Sequence, residues 1–131
     1  MTTTPSTSSQ SYKDAAIEFL THVTSGKIRE AYRTYVSPEF RHHNAYFRSD
    51  AQSLISGMEE NQTKFPNKIL KVQRALQDGN FVAVHSHVKL MPGEINLSVV
   101  HVFRFEGNLI TELWDIGQPV PDNCVNERGM F

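Results

Sequence analysis

From Ser11 to Met58 the apolar residues recur every third or fourth position, and from Asn67 onward they recur every second one. That change of period divides the chain into a helical part followed by a stranded part. Tyr12, Ala16, Phe19, Leu20 and Val23 define one face of a first helix, opened by Ser11 and Asp14 at capping-box spacing and broken at Gly26. Ile28, Ala31, Tyr32 and Tyr35 define a second helix, which Pro38 prevents from continuing. The two are expected to form a hairpin. The stretch from Phe40 to Phe47, rich in aromatics and histidines, reads as irregular. Ser49 can then cap a third helix with Ala51, Leu54, Ile55 and Met58 on one face, ending before Pro66.

Beyond Asn67, β-branched and aromatic residues alternate with polar ones. The pattern predicts strands over Lys68 to Gln77, Phe81 to Leu90, Ile95 to Glu106 and Leu109 to Ile116. Turn signals separate them at Asp78-Gly79-Asn80, Pro92-Gly93 and Gly107-Asn108. Links this short make neighbouring strands pair as an antiparallel meander. Helices first and sheet second is the order of an α+β domain with helices covering one face of a curved sheet. Residues 1–10, almost all Ser, Thr, Pro and Gln, are expected to form a disordered tail, leaving one domain over 11–131.

Alternation also sorts side chains by face. In the third strand Val99, His101, Phe103 and Phe105 lie together; in the fourth, Leu113 and Asp115 oppose Glu112, Trp114 and Ile116. A regular two-residue turn at Gly107-Asn108 pairs His101 with Trp114, whereas one bulge brings Asp115 to the His101 face. Both registers remain open. His85 and His87 share a face and could bind a metal, but a satisfied strand pair is the stronger reading because no third ligand stands at a diagnostic spacing. His42 and His22 are read as exposed, and Arg104 as a surface partner of Glu112.

Composition narrows the function classes. Thirteen basic and fourteen acidic residues in a chain of 131 give no footprint for nucleic acid or an anionic membrane, so a small neutral or weakly charged ligand fits better. No apolar run approaches the roughly 20 residues of a membrane span. A single cysteine, Cys124, excludes an internal disulfide framework and suits a reducing compartment. With no secretory pattern at the N-terminus, a cytoplasmic location is expected.

The segments Phe40-Arg41-His42-His43-Asn44, Val84-His85-Ser86-His87, Val102-Phe103-Arg104-Phe105-Glu106 and Glu112-Leu113-Trp114-Asp115-Ile116-Gly117-Gln118-Pro119-Val120-Pro121 resemble SnoaL-like proteins of the nuclear-transport-factor-2-like superfamily. The likeness runs from about Tyr12 to Phe131. It implies a cone: a strongly curved antiparallel sheet, covered by three N-terminal helices, enclosing a pocket. It also implies a homodimer through the outer sheet face, and aldol-type ring closure without metal or other cofactor. By the same resemblance Asp115 is the general acid/base, which needs the bulged register. Where steroid-isomerase relatives carry a carboxylic acid, this chain has His101. Arg41 stands where relatives commonly carry an apolar residue.

Such a reaction needs a base to remove a proton beside a carbonyl and a donor for the enolate oxygen. Asp115 is the expected base, with burial raising its pKa towards neutrality. His101 or His43 is the expected donor. Asn44, Phe40, Tyr46, Phe103, Trp114, His85 and His87 complete the candidate substrate-binding set. The competing functions are a non-catalytic small-molecule-binding protein of the same fold and, ranked last, a metal-dependent cupin-like enzyme suggested by His85-Ser86-His87.

Overall fold

The computed structural model describes residues 11–91 and 94–131. The tail expected over 1–10 and the turn expected at Pro92-Gly93 lie outside the described residues. The element order is α1 (Tyr12–Thr24), α2 (Ile28–Tyr35), β1 (Val36–His43), α3 (Ala51–Lys64), β2 (Ile69–Asp78), β3 (Phe81–Met91), β4 (Ile95–Glu106) and β5 (Leu109–Pro119).

Local chemistry accounts for the helix ends. Ser11 Oγ accepts from the Asp14 N–H at 3.1 Å and starts α1. The α3 cap is Asp50 rather than Ser49: its carboxylate accepts from both the backbone N–H and the hydroxyl of Ser53, each at 2.8 Å. Gly79 and Gly107, at φ of 60° and 63°, turn the β2–β3 and β4–β5 hairpins in the left-handed region that glycine tolerates.

The five strands form one curved, unclosed sheet in the order β1-β5-β4-β3-β2. The meander β2 to β5 is antiparallel, as the alternation predicts. The stretch read as irregular is in part a strand: β1 runs parallel to β5 at the sheet edge, with Arg41, His42 and His43 opposite Glu112, Leu113 and Trp114. Pro38 is tolerated there because an edge strand has backbone positions free of ladder bonding.

The core lies between the helices and the inner sheet face. Phe19 of α1 meets Tyr32 of α2 and Phe103 of β4 edge-on, at ring distances of 5.2 and 6.0 Å. Tyr12 stacks on Phe105 at 4.4 Å and ties α1 to the β4–β5 turn by donating to Gly107 O. Val82, Val84, Phe103, Phe105, Ile110 and Leu113 are all buried on this face. Burying each such large side chain contributes roughly 1.5–3 kcal/mol.

Candidate functional site

The register between β4 and β5 decides which polar groups meet. Glu106 pairs with Leu109 and Phe105 with Ile110, but Arg104 pairs with Glu112, so Thr111 is an extra residue bulged out of the ladder. Every later pair is shifted by one. His101 therefore faces Asp115, and Trp114 faces Val102.

His101 Nε2 and Asp115 Oδ1 lie 3.3 Å apart, with both side chains mostly buried on the inner face. The second carboxylate oxygen, Oδ2, accepts from Asn44 Nδ2 at 2.7 Å. Asn44 follows β1 and is itself fixed, since its Oδ1 accepts from the Tyr46 N–H and its N–H donates to His42 Nδ1. His42 is buried, not exposed as its polarity suggests. Its Nε2 donates to Arg48 O at 2.6 Å, so one imidazole anchors both ends of the segment after β1. Tyr32 is buried in the same core; burial, then the Asp115 charge, raises its hydroxyl pKa far above the usual value.

Burial pushes the Asp115 carboxyl up. The contact and charge of His101, the Asn44 amide and the charge of His42 outweigh it and hold the group below the ordinary carboxylate range. The upward shift expected from burial is thus reversed, because the carboxylate meets hydrogen-bond donors rather than a purely apolar wall.

One further polar residue, not singled out from the sequence, belongs to this face. Ser86 of β3 alternates with Val82, Val84 and Val88, and is completely buried. Its Oγ and His101 Nδ1 are buried atoms with no hydrogen-bond partner among the described residues. The usable signal was parity: Ser86 sits between His85 and His87 in a strand whose other even positions are Val82, Val84, Val88 and Leu90.

Of the other candidates, Phe40 and Phe103 are buried on the inner face, Phe40 against Tyr32 and Phe103 beside His101. The remaining ones lie apart from Asp115. His43 is on the outer face, 2.7 Å from Glu112 and stacked on Trp114 at 5.1 Å. Arg104 also bonds Glu112, completing the surface ion pair its position suggests. The hydrogen bond from His43 holds the Glu112 carboxyl low against desolvation, with help from Arg104. Tyr46 is 89% exposed. His85 and His87 also point outward, bonding Ser98 Oγ and Asn96 Oδ1 at 2.9 and 2.8 Å and stacking with Phe131. Among the described residues no group of three or more His, Cys, Asp or Glu side chains is arranged to hold a metal ion. Two open clefts of about 360 and 440 Å³ lie along α2–α3 and between the 46–48 segment and α3, away from Asp115.

No functionally curated protein matches this sequence. Solved structures of the same shape include a candidate polyketide cyclase from Acidithiobacillus ferrooxidans, with a TM-score of 0.70 and 22% identity over 84% of this chain and 89% of that one. IdmH, a candidate polyketide cyclase from Streptomyces antibioticus, gives 0.68 and 18% over 83% and 93%. An NTF2-like protein of unknown function from Cytophaga hutchinsonii gives 0.66 and 16% over 82% and 90%. At such identities the likeness speaks for the fold alone. The profile of the SnoaL-like domain matches residues 16–113, from α1 through the Thr111 bulge. With that match spanning most of the sequence and the cone-type sheet beneath it, the chain belongs to the SnoaL-like domain family.

Proposed function

We propose that this protein is a cyclase or isomerase that moves a proton on a small apolar carbonyl compound, using the His101–Asp115 pair on the inner sheet face and no cofactor. The observation that carries the reading is the 3.3 Å contact between His101 Nε2 and Asp115 Oδ1, backed by the Asn44 bond to Oδ2. An ionised carboxylate can only accept, so it holds the imidazole proton on Nε2 and leaves Nδ1 as the basic atom. A proton leaving the carbon beside a carbonyl passes to Nδ1, the electron pair moves onto the carbonyl oxygen, and the resulting imidazolium returns the proton to another carbon or to the oxygen. Asp115 acts in this scheme through the ring it orients. Phe40 and Phe103 supply apolar walls.

The experiment is hydrogen–deuterium exchange at the α-carbon of 1-tetralone in D2O, followed by NMR. Wild-type protein accelerates exchange, whereas Asp115→Asn and His101→Gln each lose at least about 100-fold of it. Full activity in either variant would sink the scheme.

A non-catalytic binding protein is the second reading, favoured by the depressed Asp115 pKa, which makes the carboxylate a weak base in its own right. Tight binding of 1-tetralone without exchange distinguishes it. We also propose a homodimer through the outer face, where Leu76, Phe81 and Ile116 are exposed at 64, 41 and 61%. Sedimentation velocity tests that. The single cysteine supports a cytoplasmic location.

A further inference from the structure

The cleft of about 360 Å³ between α2, the start of β1 and α3 combines an apolar floor with an edge made only of donors. Its volume falls at the small end of the roughly 300–1,000 Å³ that small-molecule sites occupy. Tyr32, Val36, Pro38 and Ile55 form the floor. Arg29, Arg33 and Ser37 form the edge, and no acidic side chain lines the cleft.

Arg29 and Arg33 stand four residues apart on one face of α2, a like-charge spacing that works against a helix. Glu59 of α3 answers only the first of them, accepting from Arg29 Nε and Nη2 at 2.8 and 2.9 Å. That two-pronged bond braces α2 against α3 beside the cleft. Arg33 has no hydrogen bond or ion pair among the described residues. Ser37 stands where β1 leaves register with β5, and its Oγ accepts from the Glu39 N–H at 3.1 Å, so its own proton remains to be donated. A free guanidinium and a free hydroxyl proton therefore share an apolar floor. Two guanidiniums and one carboxylate leave a single positive charge there.

We propose that this cleft is a second binding site, separate from the His101–Asp115 face, for a small organic monocarboxylate. Arg33 grips the carboxylate with its fork of N–H donors, Ser37 donates to it, and the apolar body lies on Val36, Pro38 and Ile55. One uncompensated positive charge matches a monoanion. A dianion such as a phosphate monoester meets the Glu59 carboxylate beside Arg29, and the Asp115 carboxylate makes the inner sheet face unfavourable for any anion.

The test is a nitrogen–proton correlation NMR titration with benzoate, benzamide, acetate and phenyl phosphate. The last three lack, in turn, the charge, the ring and the single charge of the first. Wild-type protein is expected to bind benzoate at least about fivefold more tightly than each of the others, with shifts at the amides of 29–37 and 51–55. Added salt is expected to weaken benzoate and leave benzamide unchanged. Arg33→Gln is expected to lower the affinity for benzoate about fivefold or more, to the level of benzamide, without changing benzamide itself. Because the Arg33 side chain is exposed and unpaired, that variant is expected to keep its Tm within about 3 °C. Equal or tighter binding of any of the other three probes, shifts centred on β4 and β5, no shifts at all, or unchanged benzoate affinity in Arg33→Gln overturns the proposal.

Discussion

The ring of Phe47 lies against the backbone of Gly57, so close that a Cβ at residue 57 would stand 2.3 Å from Phe47 Cε1. Phe47 belongs to the segment that begins at Asn44, and Asn44 holds Asp115. A glycine on α3 is thereby linked, through four residues of chain, to the carboxylate on the inner sheet face.

Gly57→Ala separates helix stability from the order of that segment. Alanine is favoured over glycine in a helix interior by about 1 kcal/mol. Expelling a ring that is already 41% exposed loses on the order of 1 kcal/mol of burial. The two nearly cancel, so the Tm is expected to move by less than about 5 °C. Amide exchange over 45–48 is expected to quicken several-fold. Hydrogen-exchange mass spectrometry checks this, and unchanged protection would show that Phe47 does not fasten the segment.

Adjacent histidines in β1 have opposite weights. His42 is 2% exposed and makes two side-chain hydrogen bonds to backbone, whereas His43 lies outside on Glu112. His42→Ala empties a buried site and leaves a part-buried N–H of Asn44 and carbonyl of Arg48 without their partner, and is expected to lose about 2–4 kcal/mol. His43→Ala removes an exposed pair and is expected to lose less than about 1 kcal/mol. Urea denaturation of the two variants gives the comparison directly.

The same two residues show what the sequence made legible. The long elements were plain, because Phe19, Leu20 and Val23 keep a helical period and Val82, Val84 and Val88 keep a strand period. β1 was hidden because its inward positions are Phe40 and His42: a histidine in an apolar slot masks the alternation, and Pro38 suggests a break. That lost parity reversed the weights of His42 and His43. The His101–Asp115 contact was open for another reason. The residue that shifts the ladder, Thr111, is an ordinary strand former, with none of the glycine or proline that marks a bulge. Ser86 passed unnoticed because one hydroxyl among valines carries no pattern of its own.

Asp115 makes stability depend on acid. Its carboxyl titrates below the ordinary range in the folded protein, despite burial, because His101, Asn44 and His42 favour the ionised form. A depressed carboxyl stabilises the fold above its unfolded pKa, near about 3.9, and loses that contribution as the pH falls through the folded value. The stability advantage of wild type over Asp115→Asn should therefore be constant from about pH 7 to 5 and shrink below about pH 4. Urea midpoints measured across that range test the sign; an advantage that grows with acid would mean that the carboxyl is raised.

The ring of His101 provides the last test, because the proposed scheme requires one proton position. Asp115 Oδ1 lies 3.3 Å from Nε2 and Nδ1 has no partner among the described residues, so the scheme puts the proton of the neutral ring on Nε2. Long-range proton–nitrogen NMR on imidazole-labelled protein at alkaline pH should show a single tautomer, protonated at Nε2. Asp115→Asn can offer either an acceptor or a donor to the same nitrogen, so both tautomers should become populated while the ring keeps its place beside Phe103. Asn44→Ala should leave the tautomer fixed, since it frees Oδ2 and not Oδ1. A ring protonated at Nδ1 in the wild type would place the basic atom against Asp115 instead of the apolar interior, and no proton could then pass to it from a ligand.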